Sequence, residues 1–344
     1  MANPRFNDMR KFIDKVLNRH NLSKDEVHQV MQSIMSGEAS FDEIKQYLLA
    51  LNDKGPTVDE ITGAVEIMRQ FVIDVKTEHE VVLDTCGTGG DHQGTFNIST
   101  VTAFVVAGCD VAVAKHGNRS VSSICGSADL LEALGVNINL DHQSLGHCLD
   151  EIGIAFLFAQ NLHPAMKNVA PVRKSLGVKT IFNILGPLTN PAHATHQVMG
   201  VYSRDLVEPM AHVLKNLGLK RALVVHGNDG LDEITTADKT FVSEFNGQDV
   251  ISYDIDPQEM GITPAKLQDL AVENKNDNVR IALDVLNGQK GPRRDIVVIN
   301  AAYALYTSEK VKNIADGILL AQESIDAGKA LGKLEVLKEF SKRG

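Results

Sequence analysis

The sequence predicts an α/β protein: a small N-terminal all-α domain and a larger α/β domain with a central, mainly parallel sheet. Three observations predict it. Up to about residue 75 apolar residues recur at helical spacing and no strand pattern appears. From Val81 onward, short apolar runs ending near glycine alternate with helical stretches. Three of those runs end in unusually polar loops, and open parallel sheets bind ligands beyond the carboxyl ends of their strands.

Composition allows this architecture. The chain has 344 residues, 43% hydrophobic and 23% charged, enough for roughly two domains at ~150 residues each. Its formal net charge of -10 argues against non-specific nucleic-acid binding. Cys86, Cys109, Cys125 and Cys148 are scattered without zinc spacing and read as reduced thiols. The start lacks a signal-peptide core, and the longest apolar stretch, Val101–Ala114, contains Asp110 and is too short to span a bilayer. The expectation is a soluble, cytoplasmic protein.

In chain order, Phe6, Met9, Phe12, Ile13, Val16 and Leu17 form one helical stripe. Capping boxes at Ser23-x-x-Glu26, Ser40-x-x-Glu43 and Thr57-x-x-Glu60 predict three more helix starts. Strands are expected at Val81–Gly87, Val111–Gly117, Ala155–Ala159, Val198–Ser203 and Arg221–Gly227, with helices at Ser127–Gly135 and Leu206–Gly218. His163–Ala192 reads as helical and then proline-punctuated; Arg294–Tyr306 and the stretch to Gly344 read as helical. The expected domains are 1–75, joined by a helical segment at about 163–190, and 76–344.

Three loops carry the chemistry. DTCGTGGDHQGTFNIST, Asp84–Thr100, fits no common nucleotide signature, yet Gly87, Gly89 and Gly90 permit positive φ and close ligand approach. A helix beginning at Asn97–Thr100 offers free N–H groups to an anion; the plainer reading is a capped strand-to-helix turn. KHGNRSVSS, Lys115–Ser123, places two cations, a histidine, an amide and three hydroxyls after a strand, a set suited to an oxygen-rich polyanion. HGNDGLDEI, His226–Ile234, holds the adjacent acids Asp232 and Glu233. Such a pair is usually a solvated surface pair, but beside a phosphate site it suits Mg²⁺. Arg173 offers a fork for a carboxylate, or is a surface arginine. His163 reads as a helix-start residue and Met166 as core.

DTCGTGGD, FNIST, KHGNRSVSS, GSADLLEALG, HPAMKNVAPVRKSLGVKTIFNILGPLTNPA, GLDE and RDIVVINAAYALY, in this order over about residues 81–306, resemble the anthranilate phosphoribosyltransferase family of tryptophan biosynthesis. The resemblance implies the fold shared with pyrimidine nucleoside phosphorylases and a homodimer formed through the small domain. It implies a pentosyltransferase that joins anthranilate to phosphoribosyl pyrophosphate (PRPP) with Mg²⁺, giving N-(5-phosphoribosyl)anthranilate and pyrophosphate.

By motif position the resemblance assigns Gly87, Gly90, Asp91, Thr95, Asn97, Ile98, Ser99 and Thr100 to PRPP. Lys115, His116, Gly117, Asn118, Arg119, Ser120, Val121, Ser122, Ser123 and Ser127 complete that site. Ser99, Asp232 and Glu233 are implied as metal ligands, and Gly87, Asn118 and Arg173 as anthranilate contacts. Lys115, Asp232 and Glu233 are implied as catalytic. Ile124-Cys125, Lys179 and Gln160 depart from what relatives often carry. Two alternatives stand beside this reading. A pyrimidine nucleoside phosphorylase is disfavoured because Asp84-Thr85-Cys86 replaces that family's Lys-His-Ser. A non-enzymatic nucleic-acid-binding relative is opposed by the acidic charge. In some organisms a glutamine amidotransferase domain is fused to this enzyme; none is legible in these residues, and a separate partner chain stays open.

Overall fold

The structure, a computed structural model, describes residues 9–119 and 125–343. The chain divides into two units, Met1–Ile73 with Leu162–Thr189, and Asp74–Asn161 with Asn190–Gly344.

The first unit is helical. Helix α1 (Met9–Leu17) buries Met9, Phe12, Ile13 and Val16, while Leu17 is 61% exposed at its end and Phe6 lies outside the described residues. Helices α2 (Lys24–Ser36), α3 (Phe41–Lys54) and α4 (Val58–Gln70) each start in the expected capping box. In the third box the glutamate does more than cap. Glu60 Oε2 accepts from the Thr57 N–H at 2.8 Å and from Lys54 Nζ at 2.7 Å, and Oε1 accepts from the Leu22 N–H at 2.9 Å. A fully buried carboxylate is tolerable because it is paired and hydrogen-bonded. The later segment joins this unit through Ile73 N–H to Leu162 O at 2.9 Å, and Asn168 Nδ2 to Met35 O at 2.9 Å. It contains the helix Ala170–Leu176, ended by Gly177 in the left-handed region at φ 64°.

The second unit is built on β1 (Val82–Asp84), β2 (Ala112–Gly117), β3 (Ile154–Phe158), β4 (His196–Gly200), β5 (Arg221–Gly227), β6 (Thr240–Phe245) and β7 (Val250–Ile255). The sheet order is β3-β2-β1-β4-β5-β6-β7. The first five strands in that order pair in parallel, with Leu83 opposite both Val113 and His196; β6 and β7 are antiparallel. These last two strands were not among the expected elements. Their hairpin turn, Asn246-Gly247 with Gly247 at φ 97°, is the signal that could have found them.

The longer helices of this unit are α5 (Ile98–Ala107), α6 (Ser127–Ala133), α7 (His142–Ile152), α8 (Val207–Asn216), α9 (Lys275–Leu286), α10 (Pro292–Thr307), α11 (Ile314–Asp326) and α12 (Lys329–Ser341). Helix α5 buries every side chain except that of Ser99, as its nearly unbroken apolar sequence requires. It packs against α10 and α12. Among the described residues no helix is long and apolar enough to cross a membrane. From β1 the chain winds outward to β2 and β3, then returns to place β4 on the other side of β1. Adjacent β1 and β4 therefore mark the switch point, where parallel sheets open a crevice beyond their strand ends.

Candidate active site

Strand β1 ends in a turn held from three sides. Thr85 Oγ1 donates to Ser99 O at 3.2 Å, tying the turn to α5. The Thr88 N–H donates to Gly200 O at 2.9 Å, and Thr88 Oγ1 accepts from the Tyr202 N–H at 3.1 Å, tying it to the end of β4. The Gly89 N–H donates to Asp232 Oδ2 at 2.8 Å, tying it to the loop after β5. Gly89 and Gly90 have φ of 61° and 76°, as expected. Gly87 is different: no positive φ is needed there. A β-carbon would stand 3.0 Å from Gly200 O and 3.2 Å from Asp232 Oδ2, so glycine is required by close approach to the protein's own loops.

The loop after β5 is braced locally. The Gly227 N–H donates to Leu231 O at 2.8 Å, and Asp229 Oδ2 accepts from Thr235 Oγ1 at 2.6 Å. This presents Asp232 and Glu233 to a recess they share with Gly87, Ser99, Thr102, Gly200 and Asn300. The Ser99 N–H donates to Glu233 Oε1 at 3.2 Å. One of the α5 N–H groups expected to be free for an anion is thus engaged by the protein's own carboxylate.

Electrostatics set the recess apart. Burial, then the neighbouring Asp91 carboxylate, pushes Asp232 up to about 7. Burial and Asp232 raise Glu233 well above the usual range, with Lys115 opposing the rise. Asp91 Oδ1 also accepts from the Gln93 N–H at 3.3 Å, so Asp91 both orders the glycine turn and crowds Asp232. The Thr102 hydroxyl, buried and lining the same recess, has no hydrogen-bond partner among the described residues. Clustered, under-compensated carboxylates with nearby hydroxyls are a hard-oxygen donor set, which fits Mg²⁺.

The second loop is divided. Lys115 is 4% exposed and its ammonium donates to Thr85 O at 3.1 Å, behind the recess rather than in it. Buried His116 gives its backbone N–H to Asp84 Oδ1 at 3.2 Å, and Asn190 Nδ2 donates to Asp84 Oδ2 at 2.7 Å. The ligand atoms of Asp84, Cys86 and His116 lie within 4.8 Å of one another. That cluster reads as a structural knot. Both Asp84 oxygens are engaged, Lys115 supplies positive charge, and burial pushes the Cys86 thiol up to about 12.

Gly117 is glycine because a β-carbon would strike Ser127 Oγ and the Phe156 ring. Asn118 O accepts from Ser127 Oγ at 3.3 Å, and Asn118 Oδ1 from Gln160 Nε2 at 3.3 Å. Arg119, expected at PRPP, pairs with Glu132 and Asp129 of α6 and stacks over Phe158 at 5.5 Å. Ser120, Val121, Ser122 and Ser123 lie outside the described residues.

Around α5, Thr95 bridges to Ala271, and Ile98 and Thr100 are buried at 1% each. Asn97 occupies the cap position without capping. It exchanges bonds with buried Asn278 of α9, Nδ2 to Asn97 Oδ1 at 2.6 Å and the Asn97 N–H to Asn278 Oδ1 at 3.2 Å. Asn97 Nδ2 donates to Cys125 O at 3.2 Å. The sequence reading missed Asn278 and Asn300, whose one local signal is a polar side chain on the buried face of a helix.

Arg173 belongs to the other unit, on the helix Ala170–Leu176, half-buried and 5.9 Å above the Phe182 ring. Burial lowers its pKa, and no ion pair with an acid offsets that among the described residues. His163 starts a short 3₁₀ helix without capping it, and burial lowers it to about 4.

Comparison with known proteins agrees with this geometry. Residues 79–331 match a model described as glycosyl transferase family, a/b domain, and residues 10–72 the corresponding helical bundle domain. An anthranilate phosphoribosyltransferase of Petrotoga mobilis is 48% identical over 96% of both chains. The crystal structure of the Thermus thermophilus anthranilate phosphoribosyltransferase superposes with a TM-score of 0.91 at 40% identity, covering 96% of this chain and 99% of that one. The Saccharomyces cerevisiae enzyme, solved in complex with PRPP and Mg, gives 0.90 at 28% identity over 98% of each. The chain belongs to the anthranilate phosphoribosyltransferase family.

Proposed function

We propose that this protein transfers the phosphoribosyl group of PRPP to anthranilate, with Mg²⁺, releasing pyrophosphate and N-(5-phosphoribosyl)anthranilate. The observation that carries the reading is the convergence of the β1 glycine turn, Ser99 and the Asp232–Glu233 pair in one recess at the switch point. The matching relatives support it and do not support nucleoside phosphorolysis or nucleic-acid binding.

In the reaction the anomeric C–O bond to pyrophosphate breaks and a C–N bond to the aromatic amine forms. The amine is uncharged at neutral pH and sheds its proton after bond formation, so no strong base is assigned. Asp232, Glu233 and Ser99 would hold Mg²⁺, which supplies charge neutralisation on the departing pyrophosphate. The glycine turn from Gly87 to Asp91, with Asn118 and Ser127, holds the sugar and its phosphates. Lys115 acts through the field behind the recess. Arg173, a half-buried cation with no carboxylate partner among the described residues, is matched to the carboxylate of anthranilate.

The division into a helical unit and a sheet unit supports a reading as a small and a large domain. Exposed Leu17, Phe41 and Leu49 on the helical unit support pairing of two chains through it, which sedimentation would test. We place the enzyme in the cytoplasm. Loss of anthranilate fluorescence on adding PRPP and Mg²⁺, with each omitted in turn, tests the activity. Unchanged fluorescence with both present, or phosphorolysis of thymidine or uridine, would overturn it.

A further inference from the structure

Three carboxylates crowd together at the turn after β5: its own Asp232 and Glu233, and Asp91 from the glycine turn after β1. Their mutual repulsion opposes the geometry that places two of them in the recess, so something must hold the turn without adding charge. The residue after Glu233 shows what does. Asn300, 2% exposed on α10, accepts from the Ile234 N–H at 3.0 Å through Oδ1, and its Nδ2 donates to Ile234 O at 2.8 Å. The second Nδ2 hydrogen goes to Ile296 O, one helical turn back, at 2.8 Å.

We infer that Asn300 is a positioning residue for the metal-binding carboxylates: its amide fixes the backbone at Ile234 and thereby the direction of Glu233. This rests on the metal reading of Asp232 and Glu233 proposed above. The side-chain chemistry is specific. One acceptor and two donors are all used, and they match one backbone N–H and two carbonyls. Aspartate would lack both donors and add a fourth negative charge. A hydrophobic residue would leave the N–H and C=O of Ile234 unpaired in a buried place. The amide also lines the recess itself, so its contribution to the wall is direct.

The test measures PRPP binding by calorimetry with saturating Mn²⁺ and again in chelator, for the wild type, Asn300→Ala and Asp232→Ala. Folding of each is checked by thermal unfolding. Asn300→Ala should weaken the Mn²⁺-dependent part of PRPP binding about tenfold, the scale seen when a partner that orients metal ligands is lost. Its KM for anthranilate should stay within about twofold. If Asn300→Ala does not fold, Asn300→Ser, which keeps a hydroxyl, carries the same comparison. If Asp232→Ala weakens Mn²⁺-dependent binding and the Asn300 variant does not, the positioning role is wrong and the metal reading stands. If Asp232→Ala also leaves it unchanged, the metal reading falls and the inference with it.

Discussion

Gly200, the last residue of β4, lies so close to Asp232 that a β-carbon at position 200 would overlap the Asp232 backbone carbonyl. The end of β4 and the acid loop after β5 are in contact beside the switch point, and both line the recess. Gly200→Ala is therefore expected to push the acid loop away. The overpacking should cost about 1–3 kcal/mol of stability, read by thermal unfolding. Displacing the acids should lower turnover on the order of 100-fold. Near-normal turnover in Gly200→Ala would show that the contact is not needed for the chemistry.

Asp232→Ala combined with Glu233→Ala removes the donor pair and most of the recess's negative charge. Turnover should fall on the order of 100-fold or more. Magnesium titration should lose its saturable phase, and EDTA should abolish wild-type activity. Unaltered turnover of the double variant at limiting Mg²⁺ would remove both residues from the metal site.

Arg173→Ala should raise the KM for anthranilate by about 10–100-fold, the worth of a hydrogen bond to a charged group. The KM for PRPP should move little. Arg173→Lys should recover only part of the loss, because an ammonium cannot present two parallel N–H groups. Equal effects on both substrates would reject the carboxylate role.

His163 gives a pH prediction for stability. Burial lowers its pKa in the folded protein from 6.5 to about 4. Between those values the unfolded chain takes up a proton that the folded chain refuses, so stability is lost as pH falls below 6.5. Between pH 7 and pH 5 the loss from this one group is about 2 kcal/mol. Urea unfolding at the two pH values measures it. His163→Asn should flatten the dependence by a comparable amount; an unchanged slope would mean the imidazole is not the group that titrates.

The helix starts of the first unit were legible because a capping box is local: Ser23 and Glu26, Ser40 and Glu43, Thr57 and Glu60 find each other within one turn. The parallel strands were legible because strands buried on both faces are short apolar runs, as in Ile154–Phe158 and Arg221–Gly227. The second member of the antiparallel pair, Val250–Ile255, lies at the sheet edge, and its mixed exposure hid it.

The sequence by itself determined the helix starts of the first unit, the parallel strands, the glycine turn and the Asp232–Glu233 pair. Each of these depends on residues a few positions apart, whose backbone preferences and spacing are fixed by covalent neighbours. Tertiary structure alone decided what those residues meet. Gly87 is glycine because of Gly200 and Asp232, and Arg119 turns to the acids of α6 rather than to the recess. Asn97 answers to Asn278, and Ile234 to Asn300. Apart from those of Arg119, 10 and 13 residues away, these partners lie 66 to 181 residues apart and leave no local pattern. Their pairing follows from the strand order that brings β4 beside β1, and from the need of every buried amide and carbonyl for a partner.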